Sequence, residues 1–122
     1  MSKPGKTGVT RVIHAFGYSM KGFKAAWKNE AAFRQEAMLT LVLTPVAFFI
    51  AQTPIELALL IGALLIVVIT ELLNSAIEAV VDRTGAELHE LSGRAKDMGS
   101  AAVFVSLALC TIVWAAIIFQ RL

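Results

Sequence analysis

The sequence predicts an all-α membrane protein, in which an N-terminal amphipathic interfacial helix precedes three transmembrane helices. Hydrophobic residues make up 57% of the 122 residues and charged residues make up 16%, whereas an average soluble domain carries about 25% charged residues. A soluble chain of this length could not bury so much apolar surface. The length also indicates a single membrane domain, residues 1–122.

The transmembrane helices are predicted from three runs without a charged residue: 37–55, 57–70 and 98–120. A helix that crosses a bilayer needs about 20 mostly apolar residues. The first and third runs meet this length, while the second does so only if its helix continues through Glu71 and Glu78 to about Val81. We therefore expect transmembrane helices at about 30–51, 56–81 and 97–120. A tight turn is expected at 51–54, and a polar connection at 82–97.

Residues 1–29 predict a helix of a different kind, which lies in the membrane interface. Apolar residues recur there at steps of three and four, which places them on one helix face: Val9, Val12, Ile13, Phe16, Met20, Phe23 and Trp27. A basic amphipathic helix with Trp on its apolar side is typical of a membrane surface. The alternative is a helix of the soluble type that packs on the bundle.

Basic residues are concentrated before the first span. Residues 1–28 hold six of them and no acidic residue: Lys3, Lys6, Arg11, Lys21, Lys24 and Lys28. In a membranous chain, such a block favours anionic lipid headgroups over nucleic acid as a partner. The positive-inside rule then predicts a cytoplasmic N-terminus and, after three spans, an external C-terminus. The connection that carries Arg83, Arg94 and Lys96 would be cytoplasmic as well.

A stripe of polar residues interrupts the second span. At 100° per residue, Glu71, Asn74, Glu78 and Asp82 lie on one helix face and extend over about 16 Å. An ionisable group inside a bilayer costs several kcal/mol and usually has a function. The alternative is that the stripe serves as polar glue between helices.

Cationic groups are expected opposite this stripe, and the candidates are Lys96, Arg94, Arg34 and a metal ion. Carboxylate oxygens suit Mg²⁺, which commonly binds one or two protein carboxylates together with phosphate oxygens. Phosphoryl transfer uses such a metal, a lysine on the phosphates and a base for the attacking hydroxyl. A proton or cation transporter could carry a similar stripe.

Other motifs give no competing chemistry. The sequence contains no Gly-x-x-x-x-Gly-Lys-Ser/Thr stretch of a P-loop, and His89-Glu90 is not followed by the second histidine of a zinc protease motif. The small residues at 99–102 allow close helix packing. The sequence therefore excludes a P-loop and this zinc motif, and both phosphoryl transfer and transport stay open from the residues alone.

Three stretches of the chain resemble the small prokaryotic integral-membrane diacylglycerol kinase family: Asn29–Glu36, Glu71–Arg83 and His89–Asp97. The length, the amphipathic helix and the three spans are similar to that family too. Leu88 departs from the tyrosine expected at its position, which weakens a ring-stacking role there but affects no catalytic group.

The resemblance implies an ATP-dependent kinase that makes phosphatidic acid from diacylglycerol, with Mg²⁺ as cofactor. It also implies a homotrimer whose active sites are shared between neighbouring chains, placed in the bacterial cytoplasmic (inner) membrane. Glu71 would be the general base, and Glu30 and Glu78 would bind Mg²⁺. Asn74 would orient the phosphate or the base, and Lys96 would hold the phosphates.

The same resemblance implies two sets of binding residues. Besides Glu30, Glu78 and Lys96, those for ATP are Arg11, Tyr18, Glu87, His89 and Asp97. Those for the lipid substrate are Arg11, Phe16, Ser19, Trp27 and Glu71. Two further acids, Glu36 and Asp82, are expected to support the site.

Two alternative functions stay open at this point. A kinase for undecaprenol or another polyprenol would use the same chemistry, because both lipids present a primary alcohol at the interface. A proton-coupled membrane carrier would use Glu71 alone. The carrier explains one buried acid well, but it does not explain why five acids and Lys96 gather at one membrane face.

Overall fold

The computed structural model describes residues 7–84 and 89–122, and this part of the chain forms four α-helices. They are α1 (Gly8–Asn29), α2 (Ala31–Ile50), α3 (Pro54–Arg83) and α4 (Glu90–Arg121). The helices α2, α3 and α4 are each long and apolar enough to cross a membrane. The predicted all-α architecture with three helices of transmembrane character is therefore confirmed.

Helix α3 is the centre of the bundle, since it packs against both α4 and α2. Its fully buried Leu60 forms a small apolar core with Ala47 of α2 and Ile117 of α4. Beside this core, the indole Nε1 of Trp114 donates a hydrogen bond of 3.1 Å to the carbonyl of Leu60. These contacts hold α2, α3 and α4 together at the end of the bundle remote from the polar stripe.

Most apolar side chains of the three long helices face outward. Phe49 is 92% exposed, Phe104 74% and Leu41 68% within the single chain. Such an apolar surface is incompatible with water and fits the hydrocarbon of a bilayer or contact with another membrane helix.

Five hydroxyl groups within the spans donate hydrogen bonds to carbonyls of their own helices, whereas the buried hydroxyl of Ser75 has no partner among the described residues. Thr40 donates to the carbonyl of Glu36 at 2.8 Å, and Thr44 donates to that of Thr40 at 2.7 Å. Three others do the same, namely Thr70, Ser106 and Thr111. This local bonding removes the cost of placing an unpaired hydroxyl in hydrocarbon.

The turn between α2 and α3 is short, as the sequence predicts, and it is fixed by a capping motif. Thr53 accepts a hydrogen bond from the Glu56 backbone N–H at 3.1 Å, and the Glu56 carboxylate accepts one from the Gln52 backbone N–H at 2.9 Å. Pro54 occupies the start of α3, where its missing N–H has no helical partner to lose. A threonine followed by a glutamate three residues later is the sequence signature of this arrangement.

The C-terminal end of α4 is attached to this turn. Glu56 forms an ion pair with Arg121 and accepts a hydrogen bond of 2.8 Å from Gln120. Arg121 also donates to the carbonyl of Ile50 at the end of α2. One carboxylate thus joins the ends of all three long helices on the side opposite the acidic stripe.

The polar connection is shorter than the sequence suggests. Residues 82–83 belong to α3, and α4 begins at Glu90 rather than near residue 97. His89 explains this early start, because its Nδ1 accepts a hydrogen bond of 3.0 Å from the Leu91 backbone N–H and caps the helix. Helix formation continues through polar residues here, and an apolar run alone does not indicate that extension.

Candidate active site

The polar stripe of α3 is graded from buried to exposed. Glu71 and Asn74 are only 5% and 9% exposed, Glu78 is half-buried, and Asp82 is exposed. The stripe therefore runs from the interior of the bundle to its surface at the end where α3 meets the start of α4. Burial of Glu71 is costly for a carboxylate unless the site gives it a partner or a task.

Other carboxylates gather around Glu71. Glu36, Glu78 and Glu30 all lie close enough to interact with it electrostatically. They come from different elements, since Glu30 lies between α1 and α2, Glu36 lies on α2, and Glu78 lies on α3. Like charges repel at short range, so a cluster of this kind indicates a cation or a proton as its natural partner.

Glu30 is the one residue between α1 and α2 that is not helical. Its backbone is extended, with φ −121° and ψ 106°. Arg34 fixes this break, because its guanidinium donates to the carbonyls of Trp27 at 2.8 Å and Lys28 at 3.3 Å. The side chain of Arg34 therefore caps the end of α1. Arg34 was predicted as a cation opposite the stripe, but its guanidinium instead donates hydrogen bonds to these carbonyls.

Asn74 links the buried and the half-buried part of the stripe. Its Nδ2 donates a long hydrogen bond of 3.5 Å to Oε2 of Glu78, one helical turn further along α3. Its Oδ1 is buried and has no hydrogen-bond partner among the described residues. An acceptor that is left without a partner in a buried site usually binds something else, such as a water, a cation or a substrate group.

Lys96 brings a positive charge to the exposed end of the stripe. Its Nζ forms an ion pair of 2.8 Å with Asp82, and it also interacts electrostatically with Glu78. Arg94, another cation proposed from the sequence, instead pairs with Glu90 on the exposed side of α4. Of the three basic candidates, only Lys96 therefore contacts the stripe.

A cleft of about 550 Å³ opens between α1 and α3 next to these groups. Ser19 and Phe23 of α1 line one side, Leu72 and Ser75 of α3 line the other, and Glu30 lies at its edge. The walls are mostly apolar. An open apolar cleft that carries the carboxylate of Glu30 could hold a molecule with a hydrocarbon part and a polar end.

The remaining residues predicted on α1 are Phe16, Trp27, Tyr18 and Arg11. Phe16 and Trp27 belong to the exposed apolar face of the helix. Tyr18 contacts the ring of His14 and the ammonium group of Lys21, and Arg11 lies one turn from the helix start. None of these α1 side chains lines the cleft described above.

Three residues predicted to bind the nucleotide lie in or near the connection between α3 and α4. His89 caps α4 through its ring, and Asp97 is exposed and has no ion-pair partner within residues 7–84 and 89–122. Glu87 lies outside the described residues. Their assignment to ATP remains a prediction.

The donor set fits a divalent cation that arrives with phosphate. Within the described part of the chain, no three His, Cys, Asp or Glu side chains form a ready-made metal centre. Mg²⁺ typically takes only one or two protein carboxylates and completes its shell with phosphate oxygens and water. The acids around Glu71 and the unpartnered Oδ1 of Asn74 are oxygen donors of the kind that such an ion prefers.

Comparison with known proteins identifies the family. Residues 17–118 match the family model for prokaryotic diacylglycerol kinase. The chain belongs to the prokaryotic diacylglycerol kinase family. It is 54% identical over 113 residues to the diacylglycerol kinase of Haemophilus influenzae, covering 93% of this chain and 96% of the relative. It is similarly 54% identical over 115 residues to that of Escherichia coli K12, covering 94% of each.

The similarity persists in more distant members of the diacylglycerol kinase family. The diacylglycerol kinase of Helicobacter pylori strain 26695 is 42% identical over 111 residues, which cover 91% of this chain and 87% of the relative. These matches include all three stretches on which the resemblance was based.

Two residues, Glu36 and Gly99, were not assigned a specific role from the sequence. Glu36 was expected only to support the site, yet it lies near Glu71, because the register between α2 and α3 brings them together. Gly99 was interpreted as a packing residue, and it does lie in close contact, but its neighbour is the side chain of Asn74. Spacing along one helix could not reveal either relationship.

Proposed function

We propose that this chain phosphorylates diacylglycerol with ATP and releases phosphatidic acid and ADP at the cytoplasmic membrane surface. Membership of a kinase family defines the reaction class. The observation that supports the location is the buried Glu71, which interacts with three other acids, and one of these acids, Glu30, lines an apolar cleft. A lipid alcohol in such a cleft would place its hydroxyl near a carboxylate.

Glu71 is proposed to act as the general base. As the lipid hydroxyl attacks the γ-phosphorus, a new O–P bond forms and the bond to the leaving ADP oxygen breaks. Glu71 accepts the proton that the hydroxyl loses. A carboxylate placed within hydrogen-bond distance of the attacking hydroxyl can take this role, and a site shielded from water also limits transfer of the phosphoryl group to water.

The other catalytic groups are assigned to charge and orientation. Glu30 and Glu78 would hold Mg²⁺, which neutralises the phosphate charge when it is bound. Asn74 is hydrogen-bonded to Glu78 and would orient that carboxylate or a phosphate oxygen. Lys96 would bind the phosphates, for which it must exchange its exposed ion pair with Asp82 for a phosphate oxygen.

Helix α1 is proposed to lie in the membrane interface and to cover the substrates. Its apolar side chains are exposed in the single chain, as a helix lying in lipid requires. Phe16, Ser19 and Trp27 would contact the lipid substrate, and Arg11 and Tyr18 would reach the nucleotide. Arg11 would contact the lipid as well.

Residues in or near the connection before α4 would complete the nucleotide-binding site. His89, Asp97 and Glu87 are the residues that we assign to ATP there, in addition to Lys96. His89 and Lys96 share the first turns of α4, which supports their acting on one ligand.

We further propose that the protein is a homotrimer in the bacterial inner membrane, with its N-terminus in the cytoplasm. Three spans put the two termini on opposite sides, and the basic residues favour a cytoplasmic N-terminus. Fusions of a reporter that works only in the periplasm should be active at the C-terminus. A C-terminal reporter that works only in the cytoplasm should be inactive, and its activity would contradict this topology.

The closest alternative is a kinase that acts on a polyprenol, and a proton-coupled carrier is the alternative from another class. One assay distinguishes the diacylglycerol kinase, the polyprenol kinase and the carrier. Purified protein in detergent is given radiolabelled ATP and one of the two lipids, each in its own mixed micelles. We expect labelled phosphatidic acid to form much faster than labelled polyprenyl phosphate. Preference for the polyprenol would replace the proposed substrate, and transfer to neither lipid would contradict the kinase assignment.

A further inference from the structure

Gly99 of α4 lies directly against the side chain of Asn74 on α3. A Cβ atom built on Gly99 would be 2.3 Å from Oδ1 of Asn74 and 3.3 Å from its Cγ. The first distance is far inside the contact limit of the two atoms. Gly99 is itself buried, so the present position of the Asn74 carboxamide exists only because residue 99 has no side chain.

The contact is specific to this position on the helices. At Gly62 in α3 and Gly93 in α4, an added Cβ would meet no other atom within 4 Å. A general need for close packing would produce similar contacts along the interface. Gly99 instead meets one polar side chain, and that side chain belongs to the acidic stripe.

Asn74 has little freedom to move away. It is 9% exposed, and its Nδ2 already donates to Glu78. A methyl group at residue 99 would push Oδ1 out of its place, and the planar carboxamide would carry Nδ2 with it. Oδ1 is the end of a rotatable side chain, so the carboxamide can turn away, but only by changing its hydrogen bond to Glu78.

We propose that Gly99 is a positioning residue for the phosphoryl-transfer site, and that it acts by setting the orientation of the Asn74 carboxamide toward Glu78. This inference rests on the proposed function, in which Asn74 and Glu78 orient and bind the Mg²⁺–ATP phosphates. Gly99 itself touches no substrate in this scheme. Its contribution is the space that it leaves.

The test is a double-mutant cycle on the purified full-length protein in mixed micelles. The variants are Gly99→Ala, Asn74→Ala and the pair together, with Gly62→Ala as the matched control. The measurements are turnover, the Mg²⁺ concentration for half-maximal rate, the KM for diacylglycerol and the thermal midpoint. Such a cycle isolates the coupling between two residues in contact.

We expect Gly99→Ala to lower turnover by about 100-fold, the scale for a misplacement of catalytic groups by about 1 Å. It should raise the Mg²⁺ requirement and lower the thermal midpoint, while the KM for diacylglycerol stays unchanged. In the Asn74→Ala background, the same substitution should lower neither the residual turnover nor the midpoint, because the clash is gone and alanine favours the helix. Gly62→Ala should resemble the wild type.

Three results would overturn the inference. Normal turnover of Gly99→Ala, with Asn74→Ala impaired, would show that residue 99 does not position Asn74. Equal losses from Gly99→Ala in both backgrounds would assign Gly99 to helix packing alone. Normal turnover of Asn74→Ala would remove Asn74 from the proposed mechanism and the inference with it. If Asn74→Ala is inactive, or if Gly99→Ala does not fold, turnover cannot report the coupling. The thermal midpoint of the double variant is then the test, because removal of the Asn74 side chain relieves the clash. A double variant with a midpoint below that of Asn74→Ala would contradict the inference.

Discussion

Lys96 and Asp82 form an ion pair of 2.8 Å between the first turns of α4 and the last turn of α3. Both side chains are about half exposed, at 44% and 65%. Exposed pairs of this kind stabilise a protein by about 1 kcal/mol or less. Lys96 is therefore held near the acidic stripe and can still exchange Asp82 for the phosphates of a nucleotide at small cost.

Glu71→Gln should separate catalysis from folding. Glutamine keeps the size of the side chain but cannot accept the proton of the lipid hydroxyl, so turnover should fall by about 10²–10⁴-fold. Removal of a buried charge should leave the thermal midpoint equal or higher. The measurements are turnover, Mg²⁺–ATP binding and thermal unfolding of one preparation. Near-normal turnover would remove Glu71 from the mechanism and leave it with a packing role.

Glu30→Gln and Glu78→Gln should each weaken the use of Mg²⁺. Both carboxylates are assigned to the metal, so the Mg²⁺ concentration for half-maximal rate should rise by at least about tenfold, the lower range for a partner that orients a metal ligand. The KM for diacylglycerol should change little, and it serves as the internal control. An unchanged metal requirement in both variants would show that these two acids do not bind the ion.

Mixing two kinds of inactive chain tests whether Glu30 and Glu71 of one active site come from the same chain. The structure brings Glu30 and Glu78 close to Glu71 within a single chain. Oligomers that mix Glu71→Gln chains with Glu30→Gln chains should therefore stay inactive, because every site would carry one of the substitutions. Subunit mixing must be verified with two different affinity tags. Recovered activity would mean that Glu30 and Glu71 of one site come from neighbouring chains.

The ion pair of Arg121 and Glu56 should matter for stability and not for catalysis. It joins the ends of the long helices on the side away from the acidic stripe. Arg121→Gln and Glu56→Gln should each lower the thermal midpoint in detergent, because the remaining charge loses its partner, while turnover at permissive temperature should be kept. Loss of turnover without loss of stability in either variant would contradict this division of roles.

The sequence was sufficient for features that one helix displays by itself. The lengths of the charge-free runs located α2, α3 and α4, and the spacing of Glu71, Asn74 and Glu78 predicted their common face. The apolar run placed a transmembrane span at about 97–120 but did not indicate that the helix itself begins at Glu90, because helix capping by His89 depends on one side-chain geometry that apolar periodicity does not report.

Features that depend on the register between helices could not be predicted. The proximity of Glu36 to Glu71 and the contact of Gly99 with Asn74 each join two helices. Arg34 shows a related limit. A basic residue near acids was interpreted as their counter-charge, but the unpaired carbonyls at the end of α1 are nearer to it and take its hydrogen bonds.

The single extended residue between α1 and α2 has a mechanical consequence. Because Glu30 alone separates the two helices, the angle of α1 to the long helices is set by the two backbone torsions of this residue. The carboxylate of Glu30 extends from the same backbone. A change in the tilt of α1 that rotates ψ of Glu30 therefore turns the Glu30 carboxylate relative to α2 and Glu71, so the position of α1 on the bilayer is coupled to the geometry of the acidic cluster.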